Sequence, residues 1–123
     1  MVSRLTAVGT IVAGMLAAGT AHAQDAAKGE QVFRQCGVCH ATEAGVTKLG
    51  PSLAGVVGRA AGTAPGFAYS DAMKAYGKVW DKTTLDAYLT NPAATVPSGK
   101  MIFAGLKDAT QRADVIAYLE SLK

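Results

Sequence analysis

Cys36-Gly37-Val38-Cys39-His40 restricts the fold of this chain more than any other run of residues. Two thiols separated by two residues, with a histidine directly behind, form the pattern by which a haem is attached covalently. Each thiol can add to one porphyrin vinyl group. The spacer lets one helical turn present both sulfurs while His40 faces the iron, so position, orientation and one ligand come from a single turn. A structural zinc and a thioredoxin-like dithiol draw on the same residue types. Zinc usually takes four Cys or His ligands, but the chain holds only Cys36, Cys39, His40 and His22, the last in an expected leader peptide. A dithiol oxidoreductase needs a strand-helix-strand pattern around its cysteines, and no convincing strand precedes Cys36.

Residues 1–23 read as a cleavable signal peptide. Arg4 supplies the positive start, Leu5 to Ala21 carries no charge, and Ala21-His22-Ala23 is a small-x-small cleavage site that would leave Gln24 first. The competing reading is a retained membrane anchor, since the uncharged run is near the lower limit for spanning a bilayer. Its Ala, Gly and Thr content favours cleavage. Export and the haem motif support each other, because haem attachment of this kind takes place outside the cytoplasm, and a periplasmic location follows. Residues 24–123 then form one small domain. Twelve Lys and Arg less Arg4, against nine acids, leave a charge of about +2, before two haem propionates are counted. No concentrated basic stripe is present, so a nucleic-acid partner is not expected.

Helical signals dominate residues 24–123, and the expected class is all-α. Asp25 can cap a helix running to about Cys36, with Gly29, Val32, Phe33 and Cys36 on one side. Asp108 and Gln111 resemble a capping box opening a final helix whose inner face is Val115, Ile116, Tyr118, Leu119 and Leu122. These two helices are expected to pack together, with Gly29 allowing close approach to the Tyr118 ring. Shorter helices are expected at Ser70 to Tyr76 and Thr83 to Leu89, the second ended by Asn91-Pro92. Elsewhere Gly and Pro break regular structure, as in Gly50-Pro51, Pro65-Gly66 and Pro97-Ser98-Gly99. Such loops can wrap a haem and bury their apolar side chains on it.

With His22 in the leader, a second histidine ligand from the same chain is excluded, and methionine is the natural substitute. Met73 and Met101 are the candidates beyond the leader. Most methionines simply fill cores. Met101 follows the tight Val96-Pro97-Ser98-Gly99-Lys100 segment, whereas Met73 sits in a short expected helix.

From Gly29 to Leu119 the chain resembles the class I cytochromes c, close to the soluble mitochondrial and photosynthetic-bacterial carriers. The resemblance rests on Cys36 to His40, Lys48-Leu49-Gly50-Pro51-Ser52-Leu53, Gly58-Arg59, Ala64 to Ala72, and Trp80. It continues through Tyr88-Leu89, Asn91-Pro92, Lys100 to Gly105, and Ile116 to Leu119. It implies a fold in which N- and C-terminal helices pack together while short helices and loops wrap one haem c, covalent through Cys36 and Cys39. It further implies His40 as proximal ligand, its ring donating to the Pro51 carbonyl, and Met101 as distal ligand with the Tyr88 hydroxyl near its sulfur. Tyr69, Trp80 and Arg59 are implied to satisfy the haem propionates, whose charge is costly to bury unpaired.

Three departures from the family pattern stand out. Met73 replaces a frequent asparagine, making the iron environment more apolar, which disfavours the ferric state. Gly99 replaces a common threonine whose hydroxyl can reach a propionate. Ala93, Ala94 and Asp108 fall where relatives carry lysines, leaving Lys48, Lys100 and Lys107 as expected docking charges and weakening electrostatic steering.

The expected function is one-electron shuttling by a monomeric carrier, not an enzyme. The donor implied by the resemblance is a cytochrome bc-type complex. A terminal oxidase, photosynthetic reaction centre or periplasmic reductase is the implied acceptor. The alternative is a haem-based gas-binding or peroxide-reducing module with a labile distal ligand, and Met101 is the feature that separates the two. A third reading, a membrane-anchored subunit of an oxidase or reductase chain, depends on whether residues 1–23 are retained.

Overall fold

The computed structural model describes Gly14 and residues 24–123, so the expected leader and its cleavage site lie almost wholly outside the described residues. Five helices form in chain order: α1 (Ala26–Phe33), α2 (Asp71–Ala75), α3 (Lys82–Thr90), α4 (Pro92–Thr95) and α5 (Ala109–Ser121). Among the described residues the only β pairing is an isolated antiparallel bridge between Ala60 and Val79. No helix among them is long and apolar enough to cross a membrane.

Side-chain acceptors start every helix, as expected at Asp25 and Asp108. Asp25 Oδ1 accepts from the Lys28 amide at 3.1 Å, Asp81 Oδ1 from Thr84 at 2.7 Å, and Asp108 Oδ1 from Thr110 at 2.8 Å and Gln111 at 3.1 Å. Each of these bonds satisfies an amide that has no partner within its helix. The first α-helix ends at Phe33, three residues before Cys36. Beyond it the chain tightens into turns, with the Cys36 and Gly37 amides donating to the Phe33 carbonyl at 2.7 and 2.9 Å.

The α4 helix was not expected from the sequence, where Asn91-Pro92 was read only as the end of the preceding helix. Proline cannot continue α3, but at the first position of a new helix it lacks only an N–H that would have no partner anyway. Asn91 supplies the cap, its Oδ1 accepting from Ala94 at 3.2 Å.

The first and last helices cross as expected, although the contact at Gly29 differs in kind. A Cβ on Gly29 would collide with the backbone carbonyl of Asp114 before anything else, and with Tyr118 Cβ. The Tyr118 ring instead packs on Phe33, at 5.1 Å between centroids. Asp114 is itself buried, and its Oδ1 accepts from the Asp25 amide at 2.9 Å, tying the start of α1 to the middle of α5. Val115, Ile116 and Leu119 turn inward to join Phe33, Leu85, Leu89, Trp80 and Tyr88 in the core. Tyr118 and Leu122 are only half-buried at its edge.

Candidate haem site

Cys36 and Cys39 lie on one turn, with the Cys39 and His40 amides donating to the Cys36 carbonyl at 3.0 and 2.9 Å. Both thiols are half-buried and no disulfide joins them. Burial, and secondarily the charge of Cys39, push the Cys36 thiol up from its ordinary value. The turn is braced from outside by Lys48, whose ammonium donates to the Gly37 carbonyl at 2.7 Å.

His40 Nδ1 lies 2.8 Å from the Pro51 carbonyl oxygen. A carbonyl only accepts, so Nδ1 carries the proton and Nε2 is left with its lone pair, the tautomer that can ligate a metal. Burial is the largest influence on this imidazole and lowers its pKa; the Pro51 bond opposes that, and the Arg59 and Lys48 cations add to the lowering. The neutral ring is thereby favoured. Gly50 packs against it so closely that a Cβ there would come within 2.5 Å of Cε1. Sequence reading took Gly50 only as a turn residue, since nothing in a single chain says that a ring will lie on it.

Met101 comes from the segment between α4 and α5. In that segment Val96 is buried, Ser98 adopts a positive φ of 65°, and the Gly99 amide donates to the Val96 carbonyl at 3.1 Å. The thioether is half-buried, and the Tyr88 hydroxyl donates toward Met101 Sδ at 3.8 Å. Burial, with a smaller effect of Tyr76, pushes the Tyr88 phenol up to about 12, so it stays a donor throughout the neutral range. Tyr88 packs on Trp80 at 4.9 Å between centroids, and Trp80 on Tyr76 at 5.6 Å. Tyr76 was missed in the sequence, where one aromatic near the end of a short helix has no distinguishing signal. Met73 lies against the same core from α2.

Arg59, Tyr69 and Trp80 were expected around a pair of carboxylates. Arg59 donates to the carbonyls of Ser52 at 3.0 Å and Ala54 at 3.2 Å, and the Ala64 amide donates to the Tyr69 hydroxyl at 3.0 Å. The Trp80 amide donates to the Arg59 carbonyl at 2.9 Å, which brings these two residues together through their backbones. Tyr69 packs edge-on to Phe67 at 4.8 Å. Its hydroxyl and the Arg59 guanidinium therefore organise loop backbone in this structure. Ser52, whose hydroxyl donates to Glu43 at 2.6 Å, links the Arg59 tie to the loop after His40.

This donor set fits a covalent haem. Two unbridged thiols and a neutral imidazole share one turn, a thioether has its own hydroxyl partner, and Phe33, Leu53, Val57 and Phe103 supply apolar surface in the same core. The fold and site define an all-α protein with a covalent haem-attachment turn.

Comparison with known proteins places the chain within a family. It belongs to the cytochrome c family as a class I member, the family model described as Cytochrome c matching residues 26–123. It is 56% identical over 100 residues to the cytochrome c2 of Rhodomicrobium vannielii, covering 79% of this chain and 78% of the relative. Identity to the Blastochloris viridis cytochrome c2 is 52% over 101 residues, covering 81% and 80%. The solved structure of cytochrome cH from Methylobacterium extorquens superposes with a TM-score of 0.75 at 44% identity, covering 79% of this chain and 98% of that one. The chain is thus an electron-transfer protein rather than an enzyme, with one covalent haem c for which Cys36 and Cys39 supply the attachment motif.

Proposed function

We propose that this chain is a soluble periplasmic one-electron carrier in which His40 and Met101 would hold the haem iron. The observation that carries this reading is the Tyr88 hydroxyl 3.8 Å from Met101 Sδ, which gives the thioether a fixed partner inside the core. The haem, when bound, supplies the one-electron change. Pro51 holds the His40 ring in the tautomer with Nε2 free, and Gly50 leaves room for that ring. Tyr88 holds the sulfur, while Trp80 and the buried residues around it keep water out. Held by the fold in a largely dry site, His40 and Met101 would keep similar positions in the two oxidation states, so that little reorganisation would oppose transfer.

Residues 1–23 act as a leader removed after Ala23, which sends residues 24–123 to the periplasm as a monomer. A cytochrome bc-type complex is the electron donor. The acceptor is a terminal oxidase, a photosynthetic reaction centre or a periplasmic reductase, met through brief contacts of small area. Arg59, Tyr69 and Trp80 support the propionates, the first two through the loops they organise. Lys48, Lys100 and Lys107 present charge to partners. All three ammonium groups are exposed and each donates to a backbone carbonyl, of Gly37, Ala68 and Thr90, which fixes where the charges stand.

The test is the visible spectrum of the ferrous holoprotein with and without carbon monoxide, for the parent and for Met101→Ala. The carrier reading expects an unresponsive parent and a reactive variant. Rapid carbon monoxide binding by the parent would replace it with a gas-binding or peroxide-reducing module.

A further inference from the structure

The contact between the Tyr88 hydroxyl and Met101 Sδ is long at 3.8 Å, and a thioether is a weak acceptor. Such a bond does not orient a ring by itself, so packing must decide where the hydroxyl points. Trp80 lies on the Tyr88 ring at 4.9 Å between centroids, and Tyr76 lies on Trp80 at 5.6 Å. Trp80 and Tyr88 are buried, and Tyr76 is the half-buried end of this series.

Backbone bonds hold Trp80 in place without holding its ring. Its amide donates to the Arg59 carbonyl and its own carbonyl accepts from Gly58, both at 2.9 Å, while the adjacent Val79 bridges to Ala60. None of these bonds restrains the indole torsions, and Tyr76 fills space that the indole could otherwise enter. Tyr76 is itself well anchored. It follows α2 as its C-cap, its amide donating to the Met73 carbonyl at 3.2 Å, and Gly77 with a φ of 68° then turns the chain toward Trp80. The Lys78 ammonium stands 5.6 Å from the Tyr76 centroid, a cation contact that further engages this ring.

We infer that Tyr76 is a positioning residue for the Met101 thioether, holding the Trp80 indole against the Tyr88 ring and so keeping the Tyr88 hydroxyl aimed at the sulfur, an inference that rests on Met101 holding the iron. Tyr76 acts through the face of its ring, so a phenylalanine there should serve as well. Without the ring, the hold on the sulfur weakens and another ligand displaces it more easily.

Imidazole, a soluble competitor for the Met101 position, provides the test when titrated into the ferric holoprotein. Its apparent affinity rises with the fraction of molecules in which the thioether is released. Tyr76→Ala should bind imidazole more tightly than the parent, by up to about tenfold, the scale of one aromatic pair. Tyr76→Phe should match the parent. Tyr76→Leu should change in the same direction as Tyr76→Ala, which keeps the test open if the alanine variant fails to fold. In a Tyr88→Phe chain, where no hydroxyl is left to aim, adding Tyr76→Ala should change nothing further. Tyr118→Ala, which opens the ring pair with Phe33 at the α1–α5 crossing, should lower the denaturation midpoint and leave the imidazole affinity at the parent value. Parent affinity in both Tyr76→Ala and Tyr76→Leu, an effect undiminished in the Tyr88→Phe chain, or an equal effect of Tyr118→Ala would overturn the inference and leave Met101 ligation standing. Equal imidazole affinity in Met101→Ala and the parent would overturn both.

Discussion

The α1–α5 pair is held by backbone approach and contiguous apolar burial, whereas the loops around the haem-attachment turn are held by polar side chains reaching backbone. In the pair, Gly29 lies on the Asp114 backbone while Phe33, Val115, Ile116 and Leu119 are buried together. Around the haem turn, Lys48 holds Gly37, Arg59 holds Ser52 and Ala54, and Lys100 reaches from beside Met101 to Ala68 at 2.6 Å. The pair should therefore be most sensitive to added atoms, and the loops to lost polar groups. The reason is that a helix satisfies its own amides, whereas loop carbonyls must find partners elsewhere.

The largest effect should come from adding one methyl group at the helix crossing. Gly29→Ala forces its Cβ into the Asp114 carbonyl and should cost about 3 kcal/mol, read from the denaturation midpoint. Gly45→Ala, in a loop with open space but a φ of 78°, should cost only about 1 kcal/mol of backbone strain. Equal costs would end the distinction between the two regions.

Arg112 joins the regions, donating from α5 to Asp86 at 2.7 Å, Leu106 at 2.9 Å and Lys107 at 3.2 Å. Arg112→Ala should destabilise by about 2 kcal/mol in chemical denaturation, through carbonyls left unpaired. Lys100→Ala should cost about 0.5 kcal/mol or less globally, because its tie is exposed. It should nevertheless speed hydrogen exchange in residues 64–70 without affecting α1 or α5.

The smallest effect concerns acid. The Thr84 backbone amide, then its side chain, hold the Asp81 carboxyl below the usual carboxylate range. A carboxylate whose folded pKa is depressed stabilises in full above its ordinary pKa and loses that contribution as pH falls through the lowered value. Asp81→Asn keeps an acceptor for Thr84 but should flatten the acid limb of a stability-against-pH curve relative to the parent.

Much of this organisation was legible because it is local. Asp25, Ser70, Asp81 and Asp108 each bond to an amide two or three residues ahead, and the capping pattern states that directly. Asn91-Pro92 could have been read the same way, as a cap and first helical residue, had its breaker role not dominated the reading. Tyr76 and the Gly50 approach to His40 carried no local mark, because their partners come from other turns of the chain.

Residues 36–40 alone determined the chemistry, since thiol, thiol and imidazole act within one turn and their spacing is a property of consecutive residues. Capping and the alternation of helix with turn-rich loop were settled at the same range. Only the tertiary structure set Tyr88 beside Met101, spent the Arg59 guanidinium on the Ser52 and Ala54 carbonyls, and brought the Asp25 amide to Asp114 across 89 residues. Such contacts form when a loop closes and two surfaces meet, and the choice of partner then depends on the whole fold rather than on any periodicity along the chain.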